Sequence, residues 1–293
     1  MIESELRHKI RHIQITAGKA VSDILAGEYH SVFKGRGMEF DEVRPYQPGD
    51  DVRTIDWNVT ARTGEPHVKR YVEERELTIL FVVDLSASGF FGSNGRLKQE
   101  VAAEVCGLLA LSAIRNNDKA GLIAFSDTIE HFIPARKGTR HVLRLIRDIL
   151  HLKPQGRGTD LNIALNYLAR VRKKRAVVFV ISDFRAPDFS KALRATSRRH
   201  DLIAISITDP IELRLPKAGM LRLRDNESGQ VQLIDTGCRR VRHHYQGLTR
   251  ERRAALATLF KQQAVDHIPL ITGDNYVADL VRFFRARERR RVH

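Results

Sequence analysis

The stretch TILFVVDLSASGFFGS, residues 78–93, is the strongest indication of the fold in the sequence. It begins as a continuous apolar run, which is typical of a β-strand buried on both faces of a sheet. The run ends in one carboxylate and two hydroxyl groups at alternate positions, Asp84, Ser86 and Ser88. Because an apolar strand has no packing use for such side chains, we take this strand end as the first candidate for a functional site.

Strands and amphipathic helices alternate along the chain after this point. The predicted strands AGLIAF and TIEHFI are separated only by Ser126 and Asp127. Because that gap is too short for a crossover, the two should form an antiparallel hairpin. The alternation elsewhere predicts an α/β fold, a mainly parallel, doubly wound sheet of about six strands with one antiparallel edge strand and helices on both faces.

Two further oxygen donors lie where such a fold would bring them near Asp84. Thr159, in GRGTDL, precedes a predicted helix, and Asp183 follows the predicted strand RAVVFVIS. Ligands of these sheets bind beyond the carboxyl ends of the strands. One or two carboxylates with several hydroxyls suit Mg²⁺, or Mn²⁺ or Ca²⁺, better than zinc. Hydroxyls are weak ligands, so such a cation would stay electrophilic and could accept an acidic side chain from another protein.

The pattern Asp-x-Ser-x-Ser, followed by a later Thr and a later Asp, resembles the metal-ion-dependent adhesion site of von Willebrand factor A domains. The resemblance covers about residues 76–208 and extends to 247–286. It implies protein–protein interaction through a cation held by five side chains, namely Asp84, Ser86, Ser88, Thr159 and Asp183. In many A domains a Gly follows the last aspartate, whereas Phe184 stands here. Asp183 acting through water and Asp160 acting in its place are the two alternatives.

Residues 35–76, with the signature PGDDVRTIDW, resemble the bacterial family called domain of unknown function 58, in which such a segment precedes an A-like domain. That resemblance implies a cytoplasmic or membrane-associated bacterial protein. It also implies a partner, a MoxR-type AAA+ ATPase, in assembling or maturing other proteins.

The chain is predicted to have two parts. Residues 1–75 should form a region with a helix over 1–27 and a β-rich or irregular segment after it, held together by ion pairs between its acidic and basic residues. Residues 76–293 should form the A-like domain, with an insertion at about 209–246 that contains a hairpin. Trp57, the single tryptophan, should be buried between the two parts.

The chain of 293 residues carries 50 Lys and Arg against 35 Asp and Glu, a net charge of +15. This charge leaves nucleic-acid binding as the alternative function, with six arginines in the final stretch RFFRARERRRVH as its densest basic cluster. An acidic protein partner would use the same charge. No apolar run reaches the roughly 18 residues that span a bilayer, and no signal sequence is evident, so we expect a cytoplasmic location.

The sequence also predicts that the protein is not an enzyme. Phosphatases of the haloacid type carry a second Asp two residues after the first, where Ser86 stands here. Ser86 lacks the flanking glycines of a nucleophile elbow. No phosphate-binding G-x-x-x-x-G-K-[ST] loop is present, so ATP hydrolysis would belong to a partner. Cys106 and Cys238 are the two cysteines and form neither a disulfide framework nor a zinc motif.

Overall fold

A computed structural model describes residue 11, residues 39–72 and residues 76–292. The helix predicted over residues 1–27 therefore lies, except for residue 11, outside the described residues. Among the described helices, none is both long enough and apolar enough to cross a membrane.

A six-stranded sheet forms the centre of the fold. Its strands are β3 (Thr78–Asp84), β4 (Lys119–Phe125), β5 (Ile129–Arg136), β6 (Val177–Ser182), β7 (Asp201–Thr208) and β10 (Asp266–Ile271). Their order across the sheet is β10-β7-β6-β3-β4-β5. Neighbouring strands are parallel except for β4 and β5, which form the predicted antiparallel hairpin. Strands β3 and β6 are almost entirely apolar because helices cover both faces of the sheet.

Helices pack on both faces of this sheet and produce two hydrophobic cores. One core is formed with α2 (Lys98–Arg115), α3 (Thr139–His151) and α8 (Tyr276–Val292). The other is formed with α4 (Leu161–Val171), α5 (Ser190–Arg199) and α7 (Arg239–Gln262). The doubly wound α/β fold with one antiparallel edge strand is thus confirmed.

Between β7 and α7 the chain forms a short helix, α6 (Pro210–Leu213), and a separate hairpin. The hairpin pairs β8 (Met220–Arg224) with β9 (Val231–Asp235), as the sequence predicted. Helix α7 begins at Arg239, inside the insertion that the sequence predicted to run to about 246.

The segment before the central sheet pairs β1 (Glu39–Pro45) with β2 (His67–Val72) around the short helix α1 (Trp57–Thr63). Internal ion pairs are present here, since Arg44 binds Asp50 through two hydrogen bonds of 2.6 and 2.8 Å. The predicted burial of Trp57 is wrong, because its side chain is 70% exposed. The neighbouring Asp56 is buried instead, and its carboxylate caps the start of α1.

Candidate metal centre

Asp84 lies at the carboxyl end of β3, with its side chain buried. One carboxylate oxygen accepts the Ser86 N–H at 2.9 Å, and the other accepts the Ser182 hydroxyl at 2.6 Å. Burial, followed by the charge of nearby Asp183, raises the pKa of Asp84 to about 6. A buried carboxylate in this state favours a neighbouring cation, which would lower its pKa again.

The two serines face the same side of the loop after β3. A 3₁₀ helix, Ala87–Phe90, follows Ser86 directly and turns the chain, so that the hydroxyls of Ser86 and Ser88 lie 3.0 Å apart. Ser86 is buried, whereas Ser88 is half-buried. The Ala87 N–H donates to the Arg157 carbonyl at 3.0 Å, which joins this loop to the loop that carries Thr159.

Thr159 lies at the rim of the sheet just before α4, with its side chain buried. Its hydroxyl donates to the Glu227 carboxylate at 2.9 Å. The neighbouring Asp160 accepts the Asn162 N–H at 2.9 Å and caps α4. Of the two residues, Thr159 is therefore the one aimed at the site, and the alternative carboxylate Asp160 is used by the helix.

Asp183 follows β6 at the same edge, but a lysine of α2 binds its carboxylate. The Lys98 ammonium lies 2.7 Å from Asp183 and 3.0 Å from Glu212, and the side chains of Lys98 and Asp183 are each 4% exposed. Burial alone would raise the pKa of Asp183, yet Lys98 outweighs it and the pKa lies below its usual value. The Asp183 carboxylate therefore already forms an ion pair with a lysine of the same chain.

The residue after Asp183 keeps the loop conformation that a glycine normally provides. Phe184 adopts φ +55°, in the left-handed region that non-glycine residues rarely occupy. Its N–H donates to the Ser182 hydroxyl at 2.9 Å, and its ring packs 5.0 Å from the ring of Phe260. Phe184 therefore adopts the left-handed turn without a glycine, and its ring is buried against Phe260.

Glu227 belongs to the site, although nothing in the sequence pointed to it. It lies in the turn between β8 and β9, and its carboxylate accepts the Thr159 hydroxyl. Burial is the largest cause and raises the pKa of this carboxylate above its usual value, although the Thr159 hydrogen bond opposes the rise. Glu227 thus accepts the Thr159 hydroxyl and lies near the hydroxyls of Ser86 and Ser88.

The donor chemistry fits a hard divalent cation. A small cavity beside the site is lined by Asp84, Ser88, Lys98 and Asp183, but not by Ser86, Thr159 or Glu227. Among the described residues, no group of three or more His, Cys, Asp or Glu side chains is arranged to hold a metal ion. A cation here would therefore depend on hydroxyl oxygens together with Asp84, a set that suits Mg²⁺ or Mn²⁺ and not zinc.

The arginine-rich end of the chain is used partly in ion pairs. Arg287 is buried and reaches Asp201 of β7 at 2.5 Å and Asp266 of β10 at 3.2 Å. Arg290 lies 3.1 Å from Asp266 as well. These contacts hold α8 against the edge of the sheet, so part of the basic cluster has a structural role.

The sequence profile described as "Protein of unknown function DUF58" matches residues 42–255. The uncharacterized protein Rv1480 of Mycobacterium tuberculosis is 32% identical over 292 residues, which are 98% of this chain and 91% of that protein. The uncharacterized protein MAV169 of Mycobacterium avium is 30% identical over 160 residues, covering 54% of this chain and 94% of that protein.

Among solved structures, BatB from Bacteroides thetaiotaomicron aligns with 73% of this chain and 99% of its own, at 14% identity and a TM-score of 0.49. The VWA domain of SpRpn10 aligns with 71% of this chain and 94% of its own, at 8% identity and a TM-score of 0.40. The family profile and the mycobacterial relative together show that the chain belongs to the DUF58 family.

Proposed function

We propose that the protein is a divalent-metal-dependent protein–protein interaction module. One observation carries the proposal: at the carboxyl edge of the sheet, beside buried Asp84, the Ser86 and Ser88 hydroxyls lie 3.0 Å apart and the Thr159 hydroxyl donates to the nearby Glu227 carboxylate. Three hydroxyls and a buried carboxylate form an oxygen-only donor set, and this edge is where ligands of doubly wound sheets bind.

The protein's own residues would hold and orient the site. Asp84, Ser86, Ser88 and Thr159 would hold the cation, and the Ser86 N–H and Ser182 hydroxyl fix the Asp84 carboxylate in place. A bound Mg²⁺ would supply an electrophilic centre that attracts a carboxylate of a partner. Lys98 pairs with Asp183 and Glu212, and Arg185 lies 3.4 Å from Glu212, which limits the negative charge around the site and preserves its attraction for an acidic partner.

The hydroxyls suit binding better than nucleophilic catalysis. In the described part of the chain, the Ser86 hydroxyl is hydrogen-bonded to Ser88 and not to a histidine base. We therefore propose a role without catalysis.

The partner that we propose is a MoxR-type AAA+ ATPase or one of its clients, in the cytoplasm. The chain would serve as an adaptor that presents a client, and ATP hydrolysis would come from the ATPase. The net charge of +15 would speed the docking of an acidic partner, an effect that falls as salt is added.

A pull-down from a lysate of the native organism tests the proposal, with wild type and Asp84→Asn as baits in Mg²⁺ and in EDTA. Asp84→Asn keeps the shape of the side chain and removes its charge. The partner should be recovered by wild type in Mg²⁺ and lost with EDTA or with Asp84→Asn, whereas the exposed control Asp274→Asn should behave as wild type.

Equal recovery of the same protein by wild type and Asp84→Asn would remove the proposed role of the site. Recovery of nucleic acid that ignores EDTA and weakens steeply with salt would instead favour binding through the basic surface.

A further inference from the structure

The turn that carries Glu227 has a defined shape of its own. The Asp225 carboxylate accepts the N–H groups of Glu227 at 2.9 Å and Ser228 at 2.7 Å. Backbone bonds close the turn from Asp225 N–H to the Gln230 carbonyl at 2.8 Å and from Gly229 N–H to the Asp225 carbonyl at 2.9 Å. The turn therefore presents Glu227 at the tip of the β8–β9 hairpin as a preformed unit.

The tip of the hairpin lies on the rim of the candidate metal centre. Thr159 donates to the Glu227 carboxylate at 2.9 Å, and the Asn226 amide reaches the Ala87 carbonyl at 3.4 Å. Ala87 separates the two serines of the site, so both loops of the site touch the hairpin. These contacts are polar, of the kind that a competing polar ligand can replace.

The body of the hairpin, in contrast, stands away from the central sheet. Strands β8 and β9 form a sheet of their own, and Met220 and Leu233 are exposed on it. An isolated two-stranded hairpin is marginally stable in water, so its position depends on where it is attached. Its base is closed by buried Thr236, whose hydroxyl donates to the Gly219 carbonyl at 2.7 Å. The hairpin is thus closed at its base, and its tip is held on the rim by a few polar contacts.

We propose that Glu227 is a resident carboxylate in the ligand position of this site, and that an acidic side chain of the partner displaces it as the hairpin moves off the rim. This inference rests on the proposed function and names the class of ligand. The ligand is a glutamate-bearing segment, since Glu227 shows that a glutamate on a turn reaches the Thr159 hydroxyl at the rim of the site. A tethered competitor acts at an effective concentration of the order of millimolar, so the hairpin weakens every acidic ligand by the same factor.

The test uses an acetylated, fluorescent Gly-Glu-Gly peptide as the probe and Gly-Gln-Gly as the probe control. The affinity of each peptide in Mg²⁺ is measured for the full chain as wild type, Glu227→Ala and Glu227→Gln. Exposed Glu251→Gln is the matched protein control. Both substitutions of Glu227 should tighten binding of the glutamate probe about tenfold, because the tethered competitor is gone. Glu251→Gln should bind as wild type does.

Hydrogen exchange of the wild-type backbone amides in residues 225–230 tests the movement itself. Saturation with the glutamate probe in Mg²⁺ should speed their exchange several-fold, whereas Gly-Gln-Gly should leave it unchanged.

If the variants bind the probe no more tightly than wild type, or if the probe leaves exchange in residues 225–230 unchanged, Glu227 is not a displaceable ligand, while the proposed function stands. If neither wild type nor any variant binds the probe, the metal-dependent site fails and this inference fails with it.

Discussion

Lys98 is the single residue that most alters the chemistry expected of the site. Its buried ammonium binds Asp183 and Glu212, which lie 85 and 114 residues further along the chain. A buried ammonium and its carboxylates each lose their hydration, so such a group persists only when its members are paired. Asp183 is consequently already paired with a cation of the protein, and Glu227 is a further carboxylate at the site, where it accepts the Thr159 hydroxyl.

Replacing Lys98 by Met should lower the free energy of unfolding by about 3 kcal/mol or more, because buried Asp183 would lose its lysine partner and Glu212 would keep only Arg185, 3.4 Å away. Urea denaturation of the purified variant measures this. The matched control is Lys119→Met, which removes an ion pair of 2.7 Å with Glu76 in which both side chains are over a third exposed. That control should cost less than about 1 kcal/mol. Equal losses in the two variants would show that the Lys98 pairing contributes nothing beyond a surface ion pair.

Local spacing in the sequence predicted one part of the site, and the order of strands and helices predicted Thr159 at the same edge. Asp84, Ser86 and Ser88 are positioned by one strand end and one turn, so their spacing alone indicated a common role. Glu227 carries no such signal, because an acidic residue in a turn is ordinary and its meeting with Thr159 spans 68 residues. At Phe184 the sequence showed that a glycine is missing but not which backbone conformation results. Phe184 has φ +55°, and its ring packs against Phe189 and Phe260, which are distant or loop residues that the sequence pattern does not connect to it.

At the scale of elements, apolar strands were the most predictable. Strands β3 and β6 are continuous apolar runs, and the short gap between β4 and β5 required a hairpin. The start of α7 was missed because Arg239 to Gly247 is polar, basic and ends in a glycine, which resembles a helix boundary. Helix formation there is set by the continuation of the helix and by contacts such as Tyr245 to the carbonyl of Glu212, which the sequence pattern does not encode.

The same limit applies to the short helix α1. A lone tryptophan is more often buried than exposed, and that preference predicted an interior Trp57. The capping carboxylate of Asp56 instead accepts the N–H groups of Asn58 and Val59, which orients the helix with Trp57 outward. Local capping therefore outweighed the burial of one large apolar side chain.

For the whole molecule, His200 should make stability depend on pH. The residue is buried at the junction of α5 and β7, and neither ring nitrogen has a hydrogen-bond partner among the described residues. Burial, with Arg199, Arg172 and Arg175 nearby, lowers the pKa of His200 to about 4. A histidine whose folded pKa lies below its unfolded value near 6.5 contributes stability above pH 6.5, and that contribution is lost as the pH falls toward 4.

The substitution His200→Leu should therefore reduce the fall in unfolding free energy between pH 7.5 and pH 5 by about 1–2 kcal/mol relative to wild type. Urea denaturation at the two pH values measures this difference. The exposed control His244→Leu should keep the pH dependence of wild type, since its side chain is solvated in both states. An unchanged pH dependence in His200→Leu would mean that the pKa of His200 is the same in the folded and the unfolded chain.

The oxygen donors at the sheet edge should bind a divalent cation. Titration calorimetry with Mg²⁺ measures the number of sites and their affinity. Wild type and the exposed control Asp274→Asn should show one site of equal affinity, whereas Asp84→Asn and Thr159→Ala should each bind at least about tenfold more weakly, since each loses a ligand. Folded variants with the same affinity as wild type, or a wild type that takes up no Mg²⁺ or Mn²⁺, would contradict the claim.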